Sequence, residues 1–253
     1  MDKKILNHIT KDYKDGFSLR FLSKKYNLGI TTIYYNLKKI DVIRKNNIIK
    51  SLNNFDEFLI GTFIGFWAGD GSKFIDRGRY CIKFHLNKND NNLIKFITEL
   101  ILNIFNKKIN VVLEKDTNRA TIIFYSKFIY YFIEEYVSYE ENKTLTVRLK
   151  YNIINHSINF LKGFIVGMCL SDGYLKEKYI LNLTSYELIK NNYEILNKFN
   201  FDSKIYSQNR EKYGWNTLYS LRLNRETTIS FKNCLNDFIQ TYTNLDIVSL
   251  KYK

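Results

Sequence analysis

Two aspartates, Asp70 and Asp172, occupy the same place in two copies of one pattern. The segment Phe58-Leu-Ile-Gly-Thr-Phe-Ile-Gly-Phe-Trp-Ala-Gly-Asp-Gly71 is matched 102 residues later by Phe160-Leu-Lys-Gly-Phe-Ile-Val-Gly-Met-Cys-Leu-Ser-Asp-Gly173. Both carry G-x-x-x-G-x-x-x-[GS]-D-G. On a helix, Gly61, Gly65 and Gly69 share one face, as do Gly163, Gly167 and Ser171. Glycine inside a helix costs about 1 kcal/mol against alanine. Close approach of two helix backbones is the compensation such faces imply. The two helices are therefore expected to pack across a pseudo-twofold axis. Each should end in its Asp-Gly pair, the glycine supplying a left-handed exit.

The chemistry follows from that placement. Two carboxylates are brought together at helix C-termini, where negative charge is disfavoured. A divalent cation relieves the repulsion, and paired acidic oxygens with space for water and phosphate suit Mg²⁺. Such ions activate water against a phosphodiester and stabilise its leaving oxygen. A single Asp-Gly would be no more than a helix cap; the duplication is what points to catalysis.

The elements around the motifs repeat as well. After the first copy, strands are expected at Lys73–Ile75 and Tyr80–Asn87, around the turn Asp76-Arg77-Gly78-Arg79. A helix from about Asn91 to Phe105 follows, then strands Lys108–Lys115 and Arg119–Tyr125 and a helix from Lys127 to Val137. After the second copy the order is strands Tyr174–Lys176 and Lys178–Thr184, helix Glu187–Phe199, strands Lys204–Asn209 and Thr217–Leu223, and helix Arg225–Phe238. The division expected is repeat 1 over 55–137, a connection over 138–157 and repeat 2 over 158–253.

The strands offer a polar face. Along Tyr80–Asn87, Tyr80, Ile82, Phe84 and Leu86 alternate with Cys81, Lys83, His85 and Asn87, the period of a half-buried strand. In the second repeat Lys178, Asn182 and Thr184 share a face. Lys204, Tyr206, Gln208 and Arg210 alternate, as do Ser220, Arg222 and Asn224. Lys, Arg, Gln and Asn read base edges and phosphates in a DNA groove. Lys73 in the first strand and Arg77 and Arg79 at the first hairpin join this expected DNA-binding set.

Residues 1–45 read as a small all-α unit. A helix over 3–13 precedes a second, Leu19–Tyr26, which Ser18 can cap, then the turn Asn27-Leu28-Gly29 and a third helix from about Thr31 to Ile40. The arrangement resembles a helix-turn-helix. In that motif the second of the paired helices enters the major groove, so Thr31, Thr32, Tyr34, Tyr35 and Lys38 are expected to face DNA. Residues 46–54 read as a linker.

Composition agrees with a polyanionic partner. The net charge is +14, and residues 1–50 hold twelve Lys/Arg against four Asp. The chain has no proline, two alanines and nine arginines. That is the mark of an AT-rich genome, which inflates lysine but favours Asp and Glu equally. These total only 25, so bias alone does not account for the charge. No apolar run is long enough for a membrane span, and the opening Met-Asp-Lys-Lys-Ile lacks a signal core. Three widely spaced cysteines make neither a disulfide framework nor a zinc pattern. A cytoplasmic, organellar or nucleoid setting is expected.

On these residues the chain resembles the two-motif, single-chain LAGLIDADG homing endonucleases. The nine-letter motif falls on Phe63-Ile-Gly-Phe-Trp-Ala-Gly-Asp-Gly71 and Ile165-Val-Gly-Met-Cys-Leu-Ser-Asp-Gly173, with Ala68 and Leu170 where its first acid would stand. The resemblance covers roughly residues 55–240. It implies an α+β fold, a duplicated αββαββα core with saddle-shaped antiparallel sheets over DNA, here preceded by the helical unit. It further implies a monomer that cuts both strands of a long, pseudo-symmetric or asymmetric duplex target across the minor groove. Two or three Mg²⁺ or Mn²⁺ ions would be shared by Asp70 and Asp172, with Gly69 and Ser171 at the metal site, and 3′ overhangs would result. The family places a basic or polar pair where the second strand meets the next helix. Asn87-Lys88 stands there, and Lys88 would assist catalysis. The second repeat has Thr184-Ser185 at that place, so Lys176 is the candidate substitute, as Lys73 is in the first. A non-cleaving transcriptional regulator of the same fold and an RNA intron maturase are the alternatives.

Overall fold

The computed structural model describes residues 2–14, 19–40, 56–114, 117–240 and 242–251. The chain divides into two compact units, Met1–Asn53 and Asn54–Lys253. The expected Ser18 cap and the linker over 46–54 lie outside the described residues.

The first unit holds helices α1 (Lys3–Lys14), α2 (Leu19–Tyr26) and α3 (Ile30–Lys39). Their spacing brings Ile9, Tyr13, Leu22, Ile33 and Leu37 into one small core. The turn between α2 and α3 uses Asn27, not Gly29, for its left-handed residue: Asn27 has φ 50°, while Gly29 is the N-cap of α3 at φ −58°. Asp12 accepts from Lys25 at 2.7 Å and from the Tyr26 hydroxyl at 2.6 Å, and these partners hold its carboxyl below the usual range.

The second unit is the duplicated core. Its first half runs α4 (Glu57–Asp70), β1 (Gly71–Asp76), β2 (Arg79–Asn87), α5 (Asn91–Phe105), β3 (Val111–Leu113), β4 (Arg119–Tyr125) and α6 (Lys127–Tyr136). Its second half runs α8 (Ile158–Ser171), β7 (Gly173–Tyr174), β8 (Ile180–Leu183), α9 (Tyr186–Lys198), β9 (Ser203–Gln208), β10 (Leu218–Leu223) and α10 (Arg225–Ile239), and α11 (Ile247–Lys251) follows. The two four-stranded sheets have the same antiparallel order, β1-β2-β4-β3 and β7-β8-β10-β9. This is the α+β repeat that the duplicated motif implied.

Apart from their ends, Thr62 and Lys162, helices α4 and α8 are apolar all round and lie buried at the centre. Asp56 caps α4 by accepting from Phe58 N, and Ser157 caps α8 by accepting from Phe160 N. In the first hairpin Arg77 (φ 48°) and Gly78 (φ 76°) form a two-residue turn with both central residues left-handed.

Three strands are shorter than expected. The apolar alternation of 108–113 is paired only over Val111–Leu113, and Lys115 lies outside the described residues. The first strands of the second half shrink to Gly173–Tyr174 and Ile180–Leu183, because charged Lys176, Glu177 and Lys178 remain exposed at the hairpin end.

The stretch 138–157 is not a bare connection. It holds β5 (Val137–Ser138), α7 (Lys143–Thr146), β6 (Arg148–Leu149) and a 3₁₀ turn at Ile153–Asn155. It is fastened to the second half: Ser185 Oγ donates to Val147 O at 2.7 Å, and Leu149 N donates to Asn191 Oδ1 at 2.9 Å.

Candidate active site

The small residues of α4 and α8 face each other without side chains between them. A β-carbon built on Gly61 would lie 2.1 Å from Phe160 O, and one on Gly65 would lie 2.2 Å from Phe164 O. From the other helix, Gly163 would meet Phe58 O at 1.9 Å and Gly167 would meet Thr62 O at 2.2 Å. No alanine fits any of these four places, so backbone meets backbone there, and at the site end Gly69 meets the side chains of Ser171 and Asp172.

The Asp-Gly exits differ from expectation. Gly71 leaves α4 in an extended conformation, φ −84° and ψ 153°, and Gly173 is not among the left-handed residues. Glycine is needed there for space. A β-carbon at Gly71 would lie 2.3 Å from the Trp67 ring, and one at Gly173 would lie 2.8 Å from Cys169 Cα.

This packing delivers Asp70 and Asp172 to one place. A β-carbon on Gly69 would lie 2.2 Å from Asp172 Oδ2, so the carboxylate of one half rests against the motif helix of the other. Burial and then the charge of Asp172 push the Asp70 carboxyl up to about 7, against the pull of Lys251 and Lys143. Burial likewise raises Asp172. Asp172 Oδ2 is buried and has no hydrogen-bond partner. A desolvated, unpartnered carboxylate oxygen beside a second acid is the donor set a hydrated divalent cation fits. Among the described residues no cluster of three His, Cys, Asp or Glu forms a metal cage, so water and phosphate would supply the remaining ligands. A cleft of about 240 Å³ opens there, bordered by Gly69, Lys143, Asp172, Asn182 and Thr184.

Two lysines serve this site that the sequence reading missed. Lys143 Nζ donates to Gly71 O (2.6 Å), Trp67 O (2.9 Å) and Gly69 O (3.2 Å), and lies 4.6 Å over the Trp67 ring. Lys251 Nζ donates to Ser171 O (2.7 Å) and Cys169 O (2.8 Å). The stretch between the halves and the α11 helix thus each return one ammonium to the carbonyl end of a motif helix, where positive charge is favoured. Burial pushes Lys143 down to about 8, against the pull of both aspartates, and it lowers Lys251 too.

The expected helpers are placed elsewhere. Lys88 Nζ donates to Thr117 O at 3.0 Å, beside the β3–β4 turn. Lys176 is exposed past the end of β7, and its carbonyl accepts from Lys232 Nζ. Neither is among the charges acting on the aspartates, which are Lys143 and Lys251. Lys73 is not a DNA-facing residue. It pairs with Ile82, not Lys83, across the hairpin, so it points to the opposite sheet face. There its buried ammonium meets Glu134, Tyr130 O at 3.2 Å and the Tyr130 ring at 4.0 Å. Gly69 and Ser171 are at the site, each with its carbonyl already accepting from a lysine.

The outer face of the first sheet carries Lys83, His85 and Asn87, opposite Ile123, Thr121 and Arg119 of β4. Thr121 Oγ1 lies 3.3 Å from His85 Nδ1 and donates to Glu114 at 3.0 Å. Arg77 is exposed at the turn, and Arg79 pairs with Asp76 at 2.7 Å over the Tyr125 ring. The second sheet gathers more of its expected set. Lys178, Lys204, Tyr206, Arg222 and Asn224 line one concave surface of about 850 Å³, with the Arg222 guanidinium 5.0 Å from the Tyr206 ring centre. Asn182 accepts from Ser220 Oγ at 2.6 Å, and Gln208 ends β9 opposite Leu218. Asn224 also caps α10, accepting from Thr227 N at 2.8 Å. Arg210 lies beyond β9, at the hairpin tip. On α3, Thr31, Thr32, Tyr34, Tyr35 and Lys38 are all exposed.

Two motif helices joined through glycines, one acid from each and a four-stranded sheet on either side define a class of fold. Residues 159–236 match the model of the LAGLIDADG-like domain. The whole core is similar to solved homing endonucleases. Mesophilic variants of I-DmoI match with TM-score 0.54 and 17% identity, over 71% of this chain and 95% of that one. I-DmoI in complex with DNA and Mn matches with TM-score 0.54 and 16% identity, over 76% and 100%. I-WcaI bound to its DNA recognition sequence matches with TM-score 0.51 and 13% identity, over 78% and 86%. No curated protein matches the sequence. The chain therefore has the LAGLIDADG homing endonuclease fold, with both LAGLIDADG-like halves in a single chain. Among the described residues no helix is long and apolar enough to cross a membrane.

Proposed function

We propose that the protein is a site-specific, divalent-metal-dependent endonuclease that cuts both strands of duplex DNA across the minor groove, leaving short 3′ overhangs. The observation that carries this reading is the meeting of Asp70 with Asp172, whose Oδ2 is buried without a partner against Gly69. One acid from each half gives one chain a site with two related sides, one for each strand, so a monomer suffices. I-DmoI is solved with DNA and Mn, and I-WcaI with its DNA recognition sequence, which supports duplex DNA as the substrate.

In this reading Asp70 and Asp172 hold Mg²⁺ or Mn²⁺, with Gly69 and Ser171 beside them. When bound, the ions supply an activated water and stabilise the leaving oxygen. Lys143 and Lys251 keep positive charge beside the acids and stabilise charge developing on the phosphate. At about 8, Lys143 can also give up a proton as the ammonium, or take one as the amine, near neutral pH. Lys83, His85, Asn87, Lys178, Asn182, Lys204, Tyr206, Gln208, Arg222 and the outward residues of α3 contact DNA.

A plasmid library with randomised inserts, incubated with protein and Mg²⁺, tests the reading. Linear products sharing one site and short 3′ ends are expected, and Asp70→Asn or Asp172→Asn should give none. DNA retention without any linear product would point to a non-cleaving regulator.

A further inference from the structure

The tip of the β9–β10 hairpin differs in sequence from its counterpart in the first half. Between the strands the chain makes a 3₁₀ turn at Glu211–Tyr213 and reverses at Gly214, φ 69°. Tyr213 and Trp215 flank that glycine, and each is 60% exposed. Their ring centres lie 5.7 Å apart. Lys212 Nζ stands 4.8 Å from the Tyr213 ring centre, and the Arg210 guanidinium stands 5.5 Å from that of Trp215. Arg210 Nε also donates to Asn216 O at 3.0 Å, bridging the base of the loop. The matching turn of the first half, Glu114-Lys115-Asp116-Thr117-Asn118, has no ring.

Exposing two large rings at a loop tip wastes apolar surface unless a partner covers them. The pairing of ring with cation indicates which partner. A nucleobase has a π-face for the ring, and its neighbouring phosphate suits the cation. The stems of the same hairpin continue into the concave surface of Lys204 and Arg222, so a polyanion lying on that surface runs toward the tip. We propose that Tyr213 and Trp215 stack on nucleobases at the outer margin of the duplex held by the second half, wedging a base step, with Arg210 and Lys212 on the flanking phosphates. This rests on duplex DNA being the substrate and adds a stacking anchor on one side only.

The chain has two tryptophans, and Trp67 is fully buried. Trp215 is therefore the one open to acrylamide. The full-length protein is titrated in EDTA with a labelled AT-rich duplex of about 30 base pairs, and separately with one of its strands. Anisotropy reads binding, and tryptophan emission reads the tip. Duplex binding should quench Trp215 and shield it from acrylamide. Trp215→Ala should bind about tenfold more weakly with an unchanged salt slope, since no charge is lost, and Trp215→Phe should bind normally. Duplex binding that leaves Trp215 as open as before overturns the proposal and leaves the nuclease reading standing. Protection by the single strand alone also overturns it. Absence of any duplex binding removes both.

Discussion

The carboxylate of Asp172 lies against Gly69 of the opposite motif helix, so close that a β-carbon on Gly69 would sit 2.2 Å from Asp172 Oδ2. The placement of the two acids and the packing of the helices are thus one arrangement: any change that parts the two helices also parts the acids.

Alanine at Gly163 should show that dependence. Its β-carbon would meet Phe58 O at 1.9 Å, a backbone atom with no freedom to turn away. Overpacking of this kind costs about 3 kcal/mol or more. Gly214→Ala adds a methyl in open space and pays only for its left-handed φ, about 1 kcal/mol. Urea unfolding of both variants measures the difference, and equal midpoints would mean that the helices tolerate separation.

The raised carboxyl of Asp70 makes stability depend on pH. Its folded value of about 7 exceeds the ordinary 3.8. The native state therefore binds the proton more tightly, and this group's contribution is complete below 3.8 and lost as pH rises through 7. In EDTA the wild-type midpoint should fall between pH 5 and 8 relative to Asp70→Asn. Mg²⁺ should narrow the gap from the wild-type side. A parallel course of the two proteins across that window would show that Asp70 is not desolvated by its neighbours.

Lys143→Met and Lys251→Met should each lower cleavage at least a hundredfold while duplex binding changes by no more than a few-fold, since one charge beside the phosphate is lost from the transition state. The pH profile separates a chemical role from a structural one. If Lys143 titrates in the reaction, its alkaline limb near 8 should be missing from the residual activity of Lys143→Met. An unshifted profile would confine Lys143 to holding the carbonyls of Trp67, Gly69 and Gly71.

The helical unit should contribute mainly phosphate contacts. Lys38→Ala on exposed α3 is expected to weaken duplex binding and reduce the salt slope by about one. Tyr35→Ala should weaken binding without changing the slope. Identical isotherms for wild type and both variants would mean that α3 does not meet DNA.

Much of this was legible in the sequence, for physical reasons. The glycine spacing announced a helix pair because glycine inside a helix needs compensation, and the doubled Asp-Gly placed the acids. Period-two alternation in Tyr80–Asn87 sorted Lys83 and His85 onto one face, and the register confirms it. The same parity condemns Lys73, which precedes that alternation and falls on the other face. Lys143 and Lys251 were hidden because nothing periodic marks them. They follow Asp70 and Asp172 by 73 and 79 residues, spacings that differ, and each sits on a helix of five residues or fewer. Only tertiary folding returns them to the motif helices. The exits at Gly71 and Gly173 were misread because a glycine needed for close passage has the same letter as one needed for a positive φ.

The most direct test of the shared metal site is Mn²⁺ binding to the protein–duplex complex, followed by electron paramagnetic resonance of the free ion. The wild-type complex should take up Mn²⁺ beyond what the duplex alone binds, and Asp70→Asn or Asp172→Asn should each remove most of that uptake. Undiminished Mn²⁺ uptake by the double variant would contradict the account, because the ions would then be held by other groups than these two acids.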